Sequence, residues 1–300
     1  VPPPTLPVSV QREIAEATER LARRLEVRGL MNVQYAVRGD DVYVLEANPR
    51  ASRTIPYVSK ALDVPLAKLA ARVMLGQSIA QLEADGWFRR PPGVGETVPY
   101  LSVKEAVLPF LKFPGADALI GPEMRSTGEV MGIDARFGTA YGKSQAAAGV
   151  RLPTKGRVFL SLADRDKRRD LLSALRELVD AGFDLVATTG TAEWLRSGGL
   201  DVVETLAKVG AASGDDTVEP TAVDLIAQGR LDAVINTPRG RGARADGAYI
   251  RSAAVAAGIP VITTVAGAKA AIAAIADDRT GAPSVRSLQE WHALLAEHRR

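Results

Sequence analysis

The stretch Val42-Tyr43-Val44-Leu45-Glu46-Ala47-Asn48-Pro49-Arg50, continued by Ala51-Ser52-Arg53-Thr54, decides how the first half of the chain is read. Val42 and Val44 alternate with Tyr43 and Leu45, the period of an extended strand. Side chains two apart on a strand share a face, so Glu46 and Asn48 are expected to point together. Pro49 has no N–H to donate and ends the pairing. Arg50 and Arg53 follow at once. A carboxylate, an amide oxygen and two guanidinium groups this close together suit a divalent cation and phosphate oxygens.

A partner strand precedes this one. Asn32-Val33-Gln34-Tyr35-Ala36-Val37 runs into the turn-rich Arg38-Gly39-Asp40-Asp41, and the two runs read as a hairpin. Gln34 can then offer a third oxygen to an ion held by Glu46 and Asn48. For an isolated Glu-x-Asn the plainer reading is better: Glu46 caps a surface turn and Gln34 is a half-buried polar residue. The length of the whole string shifts that balance.

Met31-Asn32-Val33-Gln34, the Glu46-to-Arg50 corner and Val58-Ser59-Lys60 resemble the ATP-grasp fold, in particular the second such unit of the carbamoyl-phosphate synthase large-subunit family. Ser102-Val103-Lys104-Glu105, Lys112-Phe113-Pro114-Gly115 and the run from Gly121 to Gly132 agree with it, so the likeness covers essentially the whole chain. The resemblance implies an ATP-dependent ligase that phosphorylates carbamate, with ATP and Mg²⁺ or Mn²⁺ as cofactors. It implies that Glu46 bridges two ions, that Gln34 and Asn48 are further metal ligands, and that Gln34 and Glu46 bind the cofactor. Arg50 would act with Glu46 in catalysis, assisted by Arg53. The implied partners are the rest of the large subunit and a glutaminase small subunit, in an oligomer serving arginine and pyrimidine biosynthesis.

Composition sets the outer bounds. At 300 residues, with 46% hydrophobic and 24% charged, the chain can build two modest domains with proper cores. Its net charge is +3, with 18 Lys+Arg against 16 Asp+Glu in residues 1–150 and 20 against 19 in 151–300. No basic half marks a nucleic-acid partner, despite a pI near 9.2. The absence of cysteine excludes disulfides and thiolate sites and fits a cytoplasmic protein. No apolar run is long enough for a membrane span. Val1-Pro2-Pro3-Pro4 has neither an initiator Met nor a signal-peptide layout, so the chain is expected to be a piece of a longer polypeptide.

The periodicity predicts a helix from a Ser9 cap to about Glu26 and another from Val64 to Leu75, stopped by Gly76. Gly149 to Thr154 reads as a linker. Beyond it, short apolar strands alternate with helices, which predicts a parallel sheet covered on both faces. The expected strands are Val158–Leu162, Leu185–Ala187, Val202-Val203, Ala233–Ile235 and Val261-Ile262. The fold class is therefore α/β: a partial ATP-grasp (α+β, antiparallel sheet), then a Rossmann-like parallel sheet. The expected domains are 1–148 and 157–300, joined by 149–156.

Ligands bind beyond the carboxyl ends of strands in such sheets. After the first strand comes Asp166-Lys167; after the second, Thr188-Thr189-Gly190-Thr191 opens a helix; after the third comes Lys208. Asn236-Thr237-Pro238-Arg239-Gly240-Arg241 follows the fourth and Thr263-Thr264 the fifth. Each threonine taken alone is more often a helix cap, but five strand ends in a row suggest one dianion. This half resembles the methylglyoxal-synthase-like regulatory domain that ends the same large subunit. The resemblance implies a nucleotide monophosphate effector, UMP or IMP, its phosphate held by Lys167, Thr188, Thr191, Lys208 and Asn236, with Thr237 and Arg241 as weaker candidates. It also implies an ornithine-type activator near Glu105 and Thr263.

Two other readings compete. One is a nucleotide-sensing fragment without turnover. The other is a free-standing methylglyoxal synthase, a lyase that uses a catalytic Asp helped by a His near the phosphate; His292 and His298, the sole histidines, both fall in the closing helix.

Overall fold

The computed structural model describes residues 1–109, 118–121, 124–206, 220–238, 246–281 and 284–298. The chain forms two compact units. One is Val1–Ser102 with the C-terminal helix; the other is Val103–Ser284. The closing helix thus packs with the first unit, and residues 103–148 pack with the parallel sheet.

In the first unit, α1 spans Val8–Arg24. Pro7 is its N-cap, with φ −55, and Ser9 lies inside the first turn without capping it. A proline already set near the helical φ starts the helix two residues earlier than the serine signal suggested. Next come β1 (Asn32–Arg38) and β2 (Asp41–Asn48), paired antiparallel. Gln34 lies opposite Glu46, but Tyr35 lies opposite Val44, so Leu45 is the extra residue of a β-bulge.

The helix α2 (Thr54–Leu62) carries the Val58-Ser59-Lys60 string. Sequence periodicity missed it, because Pro56 reads as a breaker; in the first turn proline removes no intrahelical bond. Asp63, at φ +55, separates α2 from α3 (Leu66–Met74). Ser78 and Gln81 form a reciprocal capping box at the start of α4 (Ile79–Ala84). Val64, Leu69 and Leu82 form the small core of these helices. The helix Leu288–His298 buries Trp291, whose ring meets Tyr100 edge-on at 5.6 Å, while the Tyr100 hydroxyl donates to the Ala61 carbonyl at 2.8 Å.

The second unit starts with a two-stranded sheet of β3 (Leu101–Val107) and β4 (Gly128–Asp134), followed by α5 (Phe137–Ala147). The parallel sheet is β5 (Gly156–Ser161), β6 (Phe183–Thr188), β7 (Glu204–Leu206), β8 (Ala233–Asn236) and β9 (Val261–Ile262), in the order β7-β6-β5-β8-β9. Between them run α6 (Arg169–Asp180), α7 (Thr189–Ser197), α8 (Ala222–Ala227) and α9 (Asp246–Ala256), and α10 (Val265–Arg279) follows the last strand.

Strand side chains alternate, and the alternation splits the core in two. Val158, Leu160, Leu185, Ala187 and Ile235 face one layer, packed on Leu171 and Leu175 of α6, Leu195 of α7 and Ile272 of α10. Phe159, Val186, Leu206 and Val234 face the other, packed on Leu225 of α8 and Ile250 and Ala254 of α9. The expected doubly covered parallel sheet is therefore present. Its one displaced strand is β7, expected at Val202-Val203. Pairing of Val186 with Glu204 sets it two residues on, which seats Leu206 in the second layer. Glu204 is anchored there by Arg157 at 2.8 Å and Arg230 at 2.9 Å.

The helices α5 and α10 approach closely through Gly138. A Cβ there would overlap the Ala273 carbonyl oxygen, whereas one at Gly142 would make an ordinary 3.5 Å contact with the Ala274 Cβ. Gly138→Ala is expected to cost about 1–3 kcal/mol by overpacking, read as a lower urea midpoint, and Gly142→Ala to leave the midpoint unchanged or raise it. Equal midpoints for the two variants would show that this contact does not limit the packing.

Candidate functional site

The hairpin brings its three candidate oxygen donors together. Gln34 is the cross-strand partner of Glu46. Asn48, two residues on, donates from Nδ2 to Glu46 Oε1 at 3.0 Å. The two therefore share a face, as the strand period requires. Arg50 is tied to the same corner by its backbone, its amide donating to the Asn48 carbonyl at 2.8 Å. Its guanidinium, however, turns back to the Ala51 carbonyl at 2.9 Å. Arg53 is exposed and occupies the N-cap position of α2.

The chemistry of this donor set fits a hard cation: one carboxylate and two amide oxygens, with no nitrogen or sulfur ligand. Among the described residues no group of three His, Cys, Asp or Glu could hold a metal by itself. An ion here would need further oxygens from outside this donor set.

The second constellation lies at the carboxyl ends of β5, β6 and β8. Ser161 of β5 is the register partner of Asn236, and Leu160 that of Ala187, the residue before Thr188. Thr188 and Asn236 therefore flank the end of the central strand, where the chain's crossovers turn to opposite sides. Thr188 is the N-cap residue of α7 but makes no side-chain cap bond. Its hydroxyl donates instead to Thr191 Oγ1 at 3.2 Å, which also accepts from the Leu162 amide at 3.1 Å. Thr237 Oγ1 accepts from the Ala163 amide at 2.9 Å. Each of these hydroxyls keeps its own proton or a lone pair for a further bond.

Lys167 follows a single 3-10 turn, Asp164–Asp166, and is held at the same end. Its Nζ donates to the Gly190 carbonyl at 2.8 Å and to Asp164 Oδ1 at 2.7 Å. The structure thus gathers Lys167, Thr188, Thr191 and Asn236 around neighbouring strand ends. Lys208 and Arg241 lie outside the described residues, as do Lys112, Phe113, Pro114 and Gly115. Thr264, at the fifth strand end, caps α10 by accepting from the Gly267 amide at 3.0 Å.

Thr263 belongs elsewhere. It and Glu105 line a cavity of about 310 Å³, together with Tyr141, Gln145 and Ile262. Gln145 Nε2 donates to Glu105 Oε2 at 2.8 Å. Tyr141 and Gln145 were not legible as site residues, although their spacing of four on α5 places them on one helix face. Burial pushes the Glu105 carboxyl above its ordinary range, with the Gln145 bond and the Ala106 backbone pulling the other way. Burial, and then the Glu105 charge, push Tyr141 up to about 12.

Residues 1–82 match the family described as "Carbamoyl-phosphate synthase L chain, ATP binding domain", and residues 170–263 match the "MGS-like domain" family. The class is thus the end of an ATP-grasp ATP-binding domain followed by an MGS-like domain, an α/β arrangement of an antiparallel hairpin and a five-stranded parallel sheet.

Along its length the chain matches the C-terminal section of the carbamoyl phosphate synthase large chain. It is 46% identical over 304 residues to "Carbamoyl phosphate synthase large chain, C-terminal section" of Methanocaldococcus jannaschii, covering 98% of this chain and 47% of that protein. It is 50% identical over 305 residues to the "Carbamoyl phosphate synthase large chain" of Micrococcus luteus, covering 99% of this chain and 27% of the relative. The same is true of Streptomyces coelicolor, at 50% identity over 305 residues, with 98% and 27% covered. The chain therefore spans about half of one relative and about a quarter of the others. Among the described residues no helix is long and apolar enough to cross a membrane.

The raised Glu105 carboxyl fixes the sign of a pH effect. The fold disfavours its ionised form, so it contributes stability below the unfolded carboxylate pKa and loses it as pH rises through the folded value. Glu105→Gln is expected to melt higher than the parent chain at neutral pH and level with it below about pH 4. A variant melting lower at neutral pH would show that the carboxylate is stabilising.

Proposed function

We propose that this chain is the C-terminal part of a glutamine-hydrolysing carbamoyl-phosphate synthase large subunit, an ATP-dependent ligase, and that it combines part of a phosphorylation site with a nucleotide-binding regulatory domain. Residues 1–148 would form the end of the carbamate-phosphorylating domain, 149–156 a linker and 157–300 the regulatory domain. The observation that carries the regulatory reading is the meeting of Thr188, Thr191 and Asn236, all polar and all at most 7% exposed, around the end of β5. Buried polar groups concentrated at a strand-order switch point are what an anion site in a parallel sheet requires.

In this reading Thr191 gives its hydroxyl proton to a phosphate oxygen, since its lone pairs already serve Leu162 and Thr188. Lys167 leaves Asp164 for the dianion. The first amides of α7, free of any side-chain cap, complete the cradle. The effector is a nucleoside monophosphate of the UMP or IMP type. Glu105, disfavoured as an anion by burial, accepts a cationic amine of an ornithine-type activator, with Thr263 beside it.

In the first unit Gln34, Glu46 and Asn48 hold Mg²⁺ or Mn²⁺ shared with ATP. When bound, the metal neutralises charge that develops on the transferred phosphoryl group. Glu46 positions it, and Asn48 fixes the carboxylate by the bond already present. Arg50 must release Ala51 to reach a phosphoryl oxygen. Partnership with the rest of the large subunit is supported by exposed apolar side chains on the hairpin: Val37, Tyr43, Val44 and Leu45. A glutaminase subunit completes the enzyme, located in the cytoplasm.

Two experiments test these readings. Calorimetry of the full 300-residue chain with UMP and with IMP is expected to show binding that Lys167→Ala weakens roughly tenfold, the loss of one charge-assisted hydrogen bond. Binding of neither nucleotide ends the sensor proposal. In the assembled large subunit, Glu46→Gln is expected to abolish ATP-dependent carbamate phosphorylation; an unchanged rate at the same Mg²⁺ concentration would remove Glu46 from the site.

A further inference from the structure

Asn236 presents an amide whose two ends do opposite chemistry. Oδ1 only accepts hydrogen bonds and Nδ2 only donates them. A phosphate oxygen needs the donor end, so the amide is useful to an anion in one orientation alone. Something in the fold has to choose that orientation.

The choice is made from α9. Arg251, in the second turn of that helix and 2% exposed, donates from Nη1 to Asn236 Oδ1 at 2.6 Å. A guanidinium has no acceptor, so this bond can form only with the amide oxygen turned toward it. Nδ2 is then left at the carboxyl ends of β5 and β8, where it reaches the Ser161 carbonyl at 3.5 Å, the outer limit of a hydrogen bond. The short bond fixes one end of the amide and the long one leaves the other end ready to be claimed.

Gly247, one turn earlier on the same helix, carries an independent mark of this arrangement. A Cβ there would sit 2.7 Å from Arg251 Nη1, 2.8 Å from Asn236 Oδ1 and 3.4 Å from Asn236 Nδ2. The first turn of α9 thus lies directly across the bond. The position excludes a side chain because the Arg251–Asn236 pair already fills the space.

We propose that Arg251 is a positioning residue for the nucleotide monophosphate site: it locks Asn236 with Nδ2 presented to the phosphate, and Gly247 allows α9 to close over the pair. The inference rests on the phosphate site proposed above. It adds that α9, through a residue with no direct contact to the ligand, sets the affinity.

The test uses the full chain with UMP and IMP as probes. Arg251→Met removes the donor at similar volume and is expected to weaken binding roughly 10- to 100-fold, the worth of a misdirected hydrogen bond to a charged oxygen. Gly247→Ala keeps the arginine but presses on its bond, and should weaken binding in the same direction; it carries the test if Arg251→Met does not fold, which urea unfolding reports. Asn236→Ala weakens binding on its own, and adding Arg251→Met to it should cost nothing more, because the arginine acts through the amide. The Asn236 side-chain amide resonances should shift when UMP is added to the parent chain and not in Arg251→Met. Full additivity of the two substitutions, or parental affinity in folded Arg251→Met and Gly247→Ala while Lys167→Ala is weakened, overturns the positioning role and leaves the phosphate site standing. If the parent chain binds neither nucleotide, both fall together.

Discussion

The larger unit depends on the parallel pairing of β5 with a strand on each side. The neighbours β6 and β8 satisfy both edges of β5 while helices cover both of its faces, so Phe159 and Leu160 are fully buried on opposite faces. Removal of such side chains from water contributes about 1.5–3 kcal/mol each. The same pairing puts the ends of three strands side by side. The register that seats Phe159 against Val234 also seats Ser161 against Asn236. One interaction therefore serves both stability and the site, and the polar strand ends cannot slip without moving the apolar core.

Capping and binding are not rival roles for the hydroxyls at those ends. Thr191 and Thr237 satisfy the Leu162 and Ala163 amides, which would otherwise be unpaired donors in a buried loop. Each still has a proton to give. The structural task fixes the hydroxyl and so prepares it for a ligand. Asn236 follows the same logic with a charged partner in place of a backbone one.

The hairpin of the first unit shows a different economy of means. Its bulge after Gln34 adds one residue to β2, yet the pairing of Gln34 with Glu46 is on the near side of it and survives. The hairpin contributes nothing to the small helical core of its unit, and Tyr43, Val44 and Leu45 of β2 are exposed. Gln34, Glu46 and Asn48 are brought together by strand register and one local hydrogen bond, without help from tertiary packing. Arg50 needs more than the corner supplies, and its guanidinium rests on its own chain.

Local pattern was enough for the hairpin, the shared face of Glu46 and Asn48, the regular alternation that makes a doubly covered parallel sheet, and the strand-end placement of Lys167, Thr188, Thr191 and Asn236. These follow from periods of two and 3.6 and from residues a few positions apart, which local geometry fixes. It did not reveal α2, hidden behind Pro56, nor the position of β7, where pairing with β6 outweighed the apolar pair Val202-Val203. No local pattern joins Glu105 with Thr263, more than 150 positions away; the family resemblance pairs them and the folded chain sets both on one cavity wall, while the inward turn of Arg251 to Asn236 comes from tertiary packing alone. An arginine inside a helix carries no local mark of burial. Which face of α9 meets the sheet depends on how Ile250 and Ala254 pack on it, and that packing is a property of the whole fold.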